Sequence, residues 1–460
     1  MASKNKSNRM GEEKIAPLLF KLSAPAIIGM LIQALYNIID SIYVGRLSTD
    51  ALSALSLAFP IQTILIAFGV GTGVGASSLI SRLLGQGKNE KANNAAEHVF
   101  FIAILYGGLG AIAGLFFSSD IIHIFTSNPT LIDLGHQYIR IILIGSLAVF
   151  VPATFNYILR GEGNTFLPML TMLLGAISNI ILDPFLIFGI GPFPQLGVAG
   201  AAYATIISRL LGGIFITAIL FSDKNEIKLN LHRFNFDFQI IREIFTVGLP
   251  AIMNRLLFSV TLVVINRILG SFNITAIAVM GIIFRLQSFF MMLVFGLNQG
   301  YLPLVGYNYG YNKPARMKKT IYLGGATAFC FGLLAFLSFQ LFPEPLIRLF
   351  NSSPELLKIG IPALKRVSPA YLFMVINIIG VATFQAIGQG LPSLIITFLR
   401  QFVLLLPSMY LLSNFGGLMK SWFAFPLAEG LTFFLTVGWL FYVARAAVQE
   451  MRQEEAGSSF

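Results

Sequence analysis

Long apolar runs separated by short polar segments dominate the chain. Each run is at least as long as the roughly 20 apolar residues that an α-helix needs to cross a hydrocarbon layer. The pattern therefore predicts an all-α integral membrane protein with twelve transmembrane helices. They are expected at about 17–44, 52–80, 96–118, 136–159, 167–190, 197–221, 244–269, 276–304, 321–342, 361–387, 392–413 and 418–446.

The pattern repeats halfway along the chain. Six spans separate the two copies, and because six is even the two halves have the same orientation in the membrane. This predicts two six-helix bundles related by pseudo-two-fold symmetry, with a cavity between them. The matching positions share one constant offset in numbering: Pro25 and Pro250, Gly45 and Gly270, Gly85 and Gly310, and the segments 125–129 and 350–354.

The polar segments suggest a division of the chain and an orientation. Lys and Arg residues concentrate in the segments that lie inside when the N-terminus is cytoplasmic, so both termini and the linker are expected in the cytoplasm. The ninth connection is an exception, because four basic residues would lie outside. The predicted parts are a leader at 1–16, an N-lobe bundle at 17–221, a linker at 222–243, a C-lobe bundle at 244–446 and a tail at 447–460.

Composition and charge exclude several classes of function. The chain is 56% hydrophobic and 11% charged, and its mean hydropathy is +0.79. The net charge of +11 is spread between apolar runs, so it is better explained by membrane topology than by nucleic-acid binding. The single cysteine, Cys330, can build neither a disulfide framework nor a thiolate zinc site. The first apolar run is too long for a cleavable signal and is expected to remain as a spanning helix.

A single carboxylate lies within the first span. Asp40 would be at membrane depth, where an acid usually faces a protein interior or a wet cavity. Helical spacing places Gln33, Tyr36 and Asn37 on the same face as Asp40, which makes them candidates for a substrate cavity. Pro25 interrupts backbone hydrogen bonding in the same span, and with Gly29 it predicts a helix that can bend.

The fifth and sixth spans carry polar residues at a similar depth. Asn179 and Asp183 are one turn apart on one helix face, and Thr205 is near the start of the next span. Counting from the span ends places these three residues and Asp40 in the outer third of the N-lobe. A shared ion site is one interpretation, and the other is that each is a structural polar residue with a hydrogen-bond partner.

The second half has different charges from the first. Ile265 occupies the position that matches Asp40, so the repeat is asymmetric in its chemistry. The charged residues within spans of this half are Arg255, Arg285, Arg400 and Glu429. They pair with one another, reach to an interface, or line the cavity.

Several motifs in order resemble the multidrug and toxic compound extrusion (MATE) family, and within it the bacterial MepA-like branch. The resemblance covers nearly all of the chain. It rests on Pro25 with Tyr36-Asn37-Ile-Ile-Asp40, residues 159–164, Asn179-Ile-Ile-Leu-Asp183-Pro184, residues 200–205, Arg400-Gln401, and residues 422–429 ending in Glu429.

The resemblance implies residue roles. Asp40, Asn179, Asp183 and Thr205 match the polar residues that form the family's N-lobe cation site, which would hold H⁺ or Na⁺. The tyrosines that match Tyr36 and Tyr138 lie nearby, and Asn156 matches a further family asparagine. Residues 250–265 and 368–387 contain no acid, so the second sodium site of some family members is not expected here.

These observations predict a secondary transporter that exports organic cations and lipophilic drugs in exchange for H⁺ or Na⁺. The alternative within transport is a flippase for lipid-linked saccharides of the same superfamily. A membrane-embedded enzyme would require acid, base or metal-ligand spacing near an interface, which the sequence does not contain. The expected protein is therefore not an enzyme and needs no cofactor besides the coupling ion. We expect a lipid-embedded monomer in the bacterial cytoplasmic membrane.

Overall fold

The computed structural model describes residues 8–222 and 225–457. Within these residues the chain is helical and contains no β-strand, which confirms the predicted all-α class. The helices are α1 Asn8–Glu12, α2 Ile15–Gly45, α3 Thr49–Gly85, α4 Asn89–Phe116, α5 Ser118–His123, α6 Pro129–Ile144, α7 Leu147–Gly161, α8 Phe166–Phe188, α9 Val198–Leu220, α10 Phe238–Gly270, α11 Ile274–Gly310, α12 Pro314–Leu341, α13 Pro343–Arg348, α14 Pro354–Val367, α15 Ala370–Ala386, α16 Gly390–Phe398, α17 Leu406–Ser421 and α18 Ala424–Gly457.

The number of membrane crossings follows from helix length and from two bends. Ten stretches of helix in the described residues are long and apolar enough to span a membrane on their own. The chain bends by 50° between α6 and α7 and by 49° between α14 and α15. Counting each bent pair as one span gives the predicted twelve. The fourth and tenth predicted spans are thus broken helices.

Local signals at the helix starts repeat with the same offset as the spans. Ser48 caps α3 and Asn273 caps α11, each by accepting a hydrogen bond from the backbone N–H three residues on, at 3.0 and 2.7 Å. Asn128 caps α6 and Ser353 caps α14 in the same manner. The members of each pair occupy equivalent positions in the two halves, so the repeat extends to the side chains that set helix boundaries.

The two ends of the molecule are named from the segment that joins the halves. We call the end where residues 221–237 connect α9 to α10 the linker end, and the opposite end the far end. Asp237 caps α10 by accepting from the N–H of Gln239 at 2.8 Å, so α10 begins before residue 244, the predicted start of the C-lobe. Because the number of crossings is even, α2 begins and α18 ends at the linker end.

The linker is fastened to the N-terminal bundle, helices α2–α9. The Glu162 carboxylate at the end of α7 accepts a hydrogen bond from the backbone N–H of Ile227 at 3.2 Å. Glu97 on α4 accepts one from the N–H of Asn230 at 2.8 Å. Carboxylates thus satisfy backbone donors in residues 225–230, which lie between the helices.

Glycines bring the N-terminal bundle against the C-terminal bundle, helices α10–α18. A Cβ on Gly71 of α3 would overlap the side chain of Ile252 on α10. In the same way, a Cβ on Gly296 of α11 would overlap Ile27 of α2. These pairs occupy matching positions in the two halves, so each bundle offers the other the same contact.

A second pair of glycines lies nearer to the linker end. A Cβ on Gly85 would overlap the backbone carbonyl of Tyr307, and a Cβ on Gly310 would overlap the carbonyl of Arg82. The internal repeat converts either contact into the other. We call the contacts of α2 and α3 with α10 and α11 the junction.

Candidate functional site

Two acids lie side by side near the far end of the N-terminal bundle. Asp40 is five residues before the end of α2, and Asp183 is five before the end of α8. Asp40 is 9% exposed and Asp183 is fully buried. The two carboxyl groups are within hydrogen-bonding range of each other. Two ionised carboxylates repel at this distance, so the pair favours a shared proton or a bound cation.

The acid pair and two neighbouring polar residues contain buried oxygen atoms without hydrogen-bond partners. Asn179 lies one turn before Asp183 and donates from Nδ2 to Oδ1 of that carboxylate at 3.3 Å. Within the described residues, four oxygens of this group have no hydrogen-bond partner: Asp40 Oδ1, Asp183 Oδ2, Asn179 Oδ1 and Thr205 Oγ1. A hard cation such as Na⁺ prefers oxygen ligands, and a proton can bridge two carboxylates, so this donor set fits either ion.

Two tyrosines are next to the acid pair. Tyr36, half-buried on α2, is close to Asp40 and Thr205. Tyr138 is 3% exposed on α6, and its hydroxyl accepts a hydrogen bond from Nε2 of Gln62 at 2.9 Å. The structure thus brings together six of the residues singled out in the sequence: Asp40, Asn179, Asp183, Thr205, Tyr36 and Tyr138.

Gln62 and Arg209 belong to this site but were not predicted. Together with Thr205 they line a small cavity of about 10 Å³ in the N-terminal bundle. Arg209 lies one turn after Thr205 on α9, and its charge acts on Asp40 although no ion pair within 4 Å joins them. The four-residue spacing from Thr205 was the signal that could have identified Arg209.

The other candidates on α2 have different surroundings. Gln33 is half-buried and Asn37 is exposed, and their side chains meet at 3.5 Å, the limit for a hydrogen bond. Pro25 lies within a helix that is continuous from Ile15 to Gly45. A Cβ on Gly29 would come within 3.0 Å of the Met172 sulfur on α8, so Gly29 lets these two helices approach closely.

Asn156 is not part of the acid site. It lies on α7 five residues before the linker end of that helix, whereas Asp40 and Asp183 lie near the far end. Its side chain is 9% exposed, and Oδ1 has no hydrogen-bond partner in the described ranges. Asn156 therefore lies apart from the acid pair, and its place in the substrate cavity stays a prediction.

Glu429 is occupied inside the C-terminal bundle. Its Oε2 accepts from Nδ2 of Asn377 at 2.8 Å, and its Oε1 accepts from Nη1 of Arg400 at 3.3 Å. Arg400 lies in a π-helical segment, Leu399–Leu405, between α16 and α17. Both carboxylate oxygens are thus engaged, one by α15 and one by the π-helical segment, which is the arrangement described by the pairing alternative for this residue.

Arg255 and Arg285 have no such partner. Both side chains are exposed, on α10 and α11. In the part of the chain that the structure describes, no carboxylate lies within 4 Å of either guanidinium. The two cationic side chains thus differ from Arg400, which has Glu429 beside it.

The sequence of this chain is similar to those of known membrane transport proteins. A family model described as MatE matches residues 25–185 and 250–411, two segments that begin at the equivalent prolines of the repeat and together cover more than half of the chain. The chain is 30% identical to the multidrug export protein MepA of Staphylococcus haemolyticus over 428 residues, which is 93% of each protein. It is 29% identical to a protein named FAD transporter from Shewanella oneidensis, over 90% of this chain and 92% of that one.

A solved structure has the same fold. It is described as the outward-facing conformation of a multidrug resistance MATE family transporter of the MOP superfamily. The TM-score is 0.91 with 27% sequence identity, and the match covers 97% of this chain and 100% of the other. The twelve-helix, two-bundle arrangement predicted from the sequence is therefore that of a known transporter fold.

Proposed function

The chain belongs to the MatE family, and from this membership we propose that it is a secondary transporter that exports organic cations in exchange for H⁺ or Na⁺. The observation that carries the proposal is the group of four buried oxygens without partners on Asp40, Asn179, Asp183 and Thr205. Buried polar atoms normally find hydrogen-bond partners. Four oxygens that lack hydrogen-bond partners, two of them on carboxyl groups, are suited to bind a monovalent cation reversibly.

The charge of the acid pair accounts for the exchange of the coupling ion for an organic cation. With both carboxylates ionised, the N-terminal bundle carries negative charge that attracts an organic cation into the space between the bundles. A proton shared by Asp40 and Asp183, or a sodium ion held by both, removes that charge. The two ligands therefore oppose each other's binding, which is the coupling that exchange requires.

We further propose that α2 transmits the change by bending at Pro25 and Gly29. Pro25 lacks the N–H that would complete the helix ladder, so the hydrogen-bond cost of bending there is already present. Gly29 faces Met172 of α8, the helix that carries Asp183. Neutralising the acid pair lets α2 shift against α8 and reduces the cavity beside Tyr36, Gln33 and Asn37.

The state and orientation follow in the same proposal. The junction glycines close the linker end, so the cavity opens at the far end, and the basic linker places the linker end in the cytoplasm. This arrangement is outward-facing. The bundles correspond to 17–221 and 244–446, and the protein acts as a monomer in a bacterial cytoplasmic membrane.

The substrate class is drawn from relatives and from the site. The Staphylococcus relative is named as a multidrug exporter, and the Shewanella relative, at nearly equal identity, as an FAD transporter. The acid pair favours cations, so we place organic cations and lipophilic drugs first. A flippase for lipid-linked saccharides is not favoured, since these relatives bear other names.

Ion-gradient-driven release of a dye from proteoliposomes tests the proposal. Purified protein is reconstituted with a fluorescent lipophilic cation inside, and an inward gradient of protons or, separately, of sodium is imposed. The parent protein should release the dye under at least one gradient. Asp40→Asn and Asp183→Asn should each abolish gradient-driven release, whereas Asp120→Asn, an exposed acid on α5, should not. Release by Asp40→Asn at the parent rate under both gradients rules out the mechanism.

A further inference from the structure

The C-terminal bundle presents two arginines that none of its own acids neutralises. Arg255 and Arg285 are exposed, and in the described residues neither donates a side-chain hydrogen bond or lies within 4 Å of a carboxylate. The same bundle supplies Glu429 to Arg400. Pairing inside the C-terminal bundle therefore does not explain why two guanidinium groups lie on adjacent helices of this bundle.

On α10, the face that bears Arg255 is the face that meets the other bundle. Gly248 and Ile252 both contact the position of Gly71 on α3. Arg255 follows Gly248 by seven residues, close to two helical turns, and so continues the same face toward the far end. Thr261, which donates to Gln401 inside the C-terminal bundle at 2.7 Å, is about 120° around the helix from Arg255.

The same relation holds on α11. Gly296 lies against Ile27 of α2, and Arg285 precedes Gly296 by eleven residues, close to three turns. Gln287, only two residues from Arg285, points the other way, since its side chain receives a hydrogen bond from Tyr371 of α15 at 3.3 Å. Arg285 therefore faces the N-terminal bundle rather than its own.

Depth completes the placement. Arg255 lies fifteen residues from Gly270 at the far end of α10, and Arg285 lies eleven residues from Ile274 at the far end of α11. At 1.5 Å per residue these are about 22 Å and about 16 Å below the far end, within a hydrocarbon layer about 30 Å thick. Charged side chains at this depth face a water-filled cavity and not lipid.

We propose that Arg255 and Arg285 form a subsite for an anionic group of the transported molecule. The preferred substrates are then organic cations that also carry a carboxylate or phosphate group. This inference rests on the proposed function, because it assumes that the space between the bundles is the substrate cavity. It adds a second point of recognition, of opposite sign, on the opposite wall.

The charges of the two walls are arranged for such a molecule. The acid pair is about 7 Å below the far end on the N-terminal bundle, since Asp40 precedes Gly45 by five residues. The arginines are deeper on the C-terminal bundle. A molecule with a positive and a negative end fits this arrangement in one orientation only. Guanidinium groups favour carboxylate and phosphate because they can donate two parallel hydrogen bonds to either.

A matched pair of dyes tests the subsite. Rhodamine B carries a delocalised cation and a carboxylate, and its ethyl ester carries the same cation alone. Binding of each dye is measured by fluorescence anisotropy with the full-length protein in phosphatidylcholine nanodiscs, without an ion gradient. The parent protein should bind rhodamine B more tightly than the ester. Arg255→Gln and Arg285→Gln should each weaken rhodamine B binding by about fivefold or more and leave the ester within about twofold.

Arg267→Gln is the control. Arg267 is exposed on α10 but about 120° around the helix from Arg255, so its removal should change the binding of neither dye. Arg255→Lys, which keeps the charge, should keep part of the preference for rhodamine B. The proposal is overturned if the parent does not prefer rhodamine B, if both dyes weaken equally, or if neither changes. Because no gradient is used, failure of ion coupling in Asp40→Asn leaves this result unaffected.

Discussion

Arg160 on α7 donates a hydrogen bond from Nη1 to the side-chain oxygen of Gln299 on α11 at 2.8 Å, from one bundle to the other. Arg160 is 6% exposed, and its guanidinium lies over the ring of Tyr157 at 4.7 Å. In the described residues no carboxylate is within 4 Å of it. A buried cation near the linker end thus depends on a neutral oxygen that the opposite bundle supplies.

Changing Gln299 should shift the balance between closed and open linker ends. Gln299→Leu removes the acceptor and should weaken closure by about 1.5–3 kcal/mol, because a hydrogen bond to a charged donor is lost. Gln299→Glu supplies a counter-charge and should strengthen it. The measurement is the labelling rate of Ser78→Cys, at a fully buried position of α3, in a Cys330→Ala background, by an impermeant reagent added from the linker side. Equal rates in the two variants would contradict the prediction.

Close packing at the junction should make Gly75 sensitive to substitution. A Cβ on Gly75 of α3 would overlap the backbone carbonyl of Ile244 on α10, so Gly75→Ala should cost about 1–3 kcal/mol of closed-state stability. Gly281 on α11 has no atom within 4 Å of its Cβ position, and Gly281→Ala should stabilise its helix by up to about 1 kcal/mol. In detergent, the thermal unfolding temperature should therefore fall for Gly75→Ala and rise for Gly281→Ala. Similar shifts of the unfolding temperature in both variants would mean that the close approach of the α3 and α10 backbones does not determine the effect of an added Cβ.

The Arg400 and Glu429 pair should behave as a unit. Their side chains are 20% and 12% exposed, so Glu429→Gln leaves a mostly buried guanidinium without counter-charge and should cost about 3 kcal/mol. Adding Arg400→Gln should recover much of that loss. A double-mutant cycle by thermal unfolding measures the coupling. If the two costs simply add, the ion pair does not hold the π-helical segment in place.

Arg209 should weaken cation binding at the acid pair. Arg209→Gln removes a positive charge that acts on Asp40, so the site should take up H⁺ or Na⁺ about threefold to tenfold more tightly. Arg209→Lys keeps the charge and should resemble the parent. The quantity measured is the external ion concentration that gives half-maximal dye release in proteoliposomes. An unchanged midpoint in Arg209→Gln would show that the guanidinium is screened from the acids.

The sequence predicted the parts of this fold that depend on local signals. Apolar length located the spans, and helical spacing with counted depth grouped Asp40, Asn179, Asp183 and Thr205. The structure places Asp40 beside Asp183, Asn179 one turn from Asp183, and Thr205 close to Tyr36. Helix breaks were not predicted, because the apolar run continues through Gly145 and Ser146 where α6 meets α7. Apolarity reports membrane depth and carries no information on helix direction.

Residues contributed by other helices were also missed. Gln62 lies on α3 and meets Tyr138 of α6 across 76 residues of sequence. The contacts of Glu429 with Arg400 and Asn377 depend on how α15, α18 and the π-helical segment pack. Spacing along a single helix cannot reveal such partners, since the contact is fixed by the packing of several helices.

The reciprocal contacts at the junction bear on the origin of the chain. Gly85 meets Tyr307 as Gly310 meets Arg82, and Gly71 meets Ile252 as Gly296 meets Ile27. Such a surface is isologous, the kind that joins two identical subunits of a symmetric dimer. The covalent connection between the halves is then an addition to an interface that is already self-complementary. We expect two polypeptides divided in the linker to assemble into the same structure when they are co-expressed.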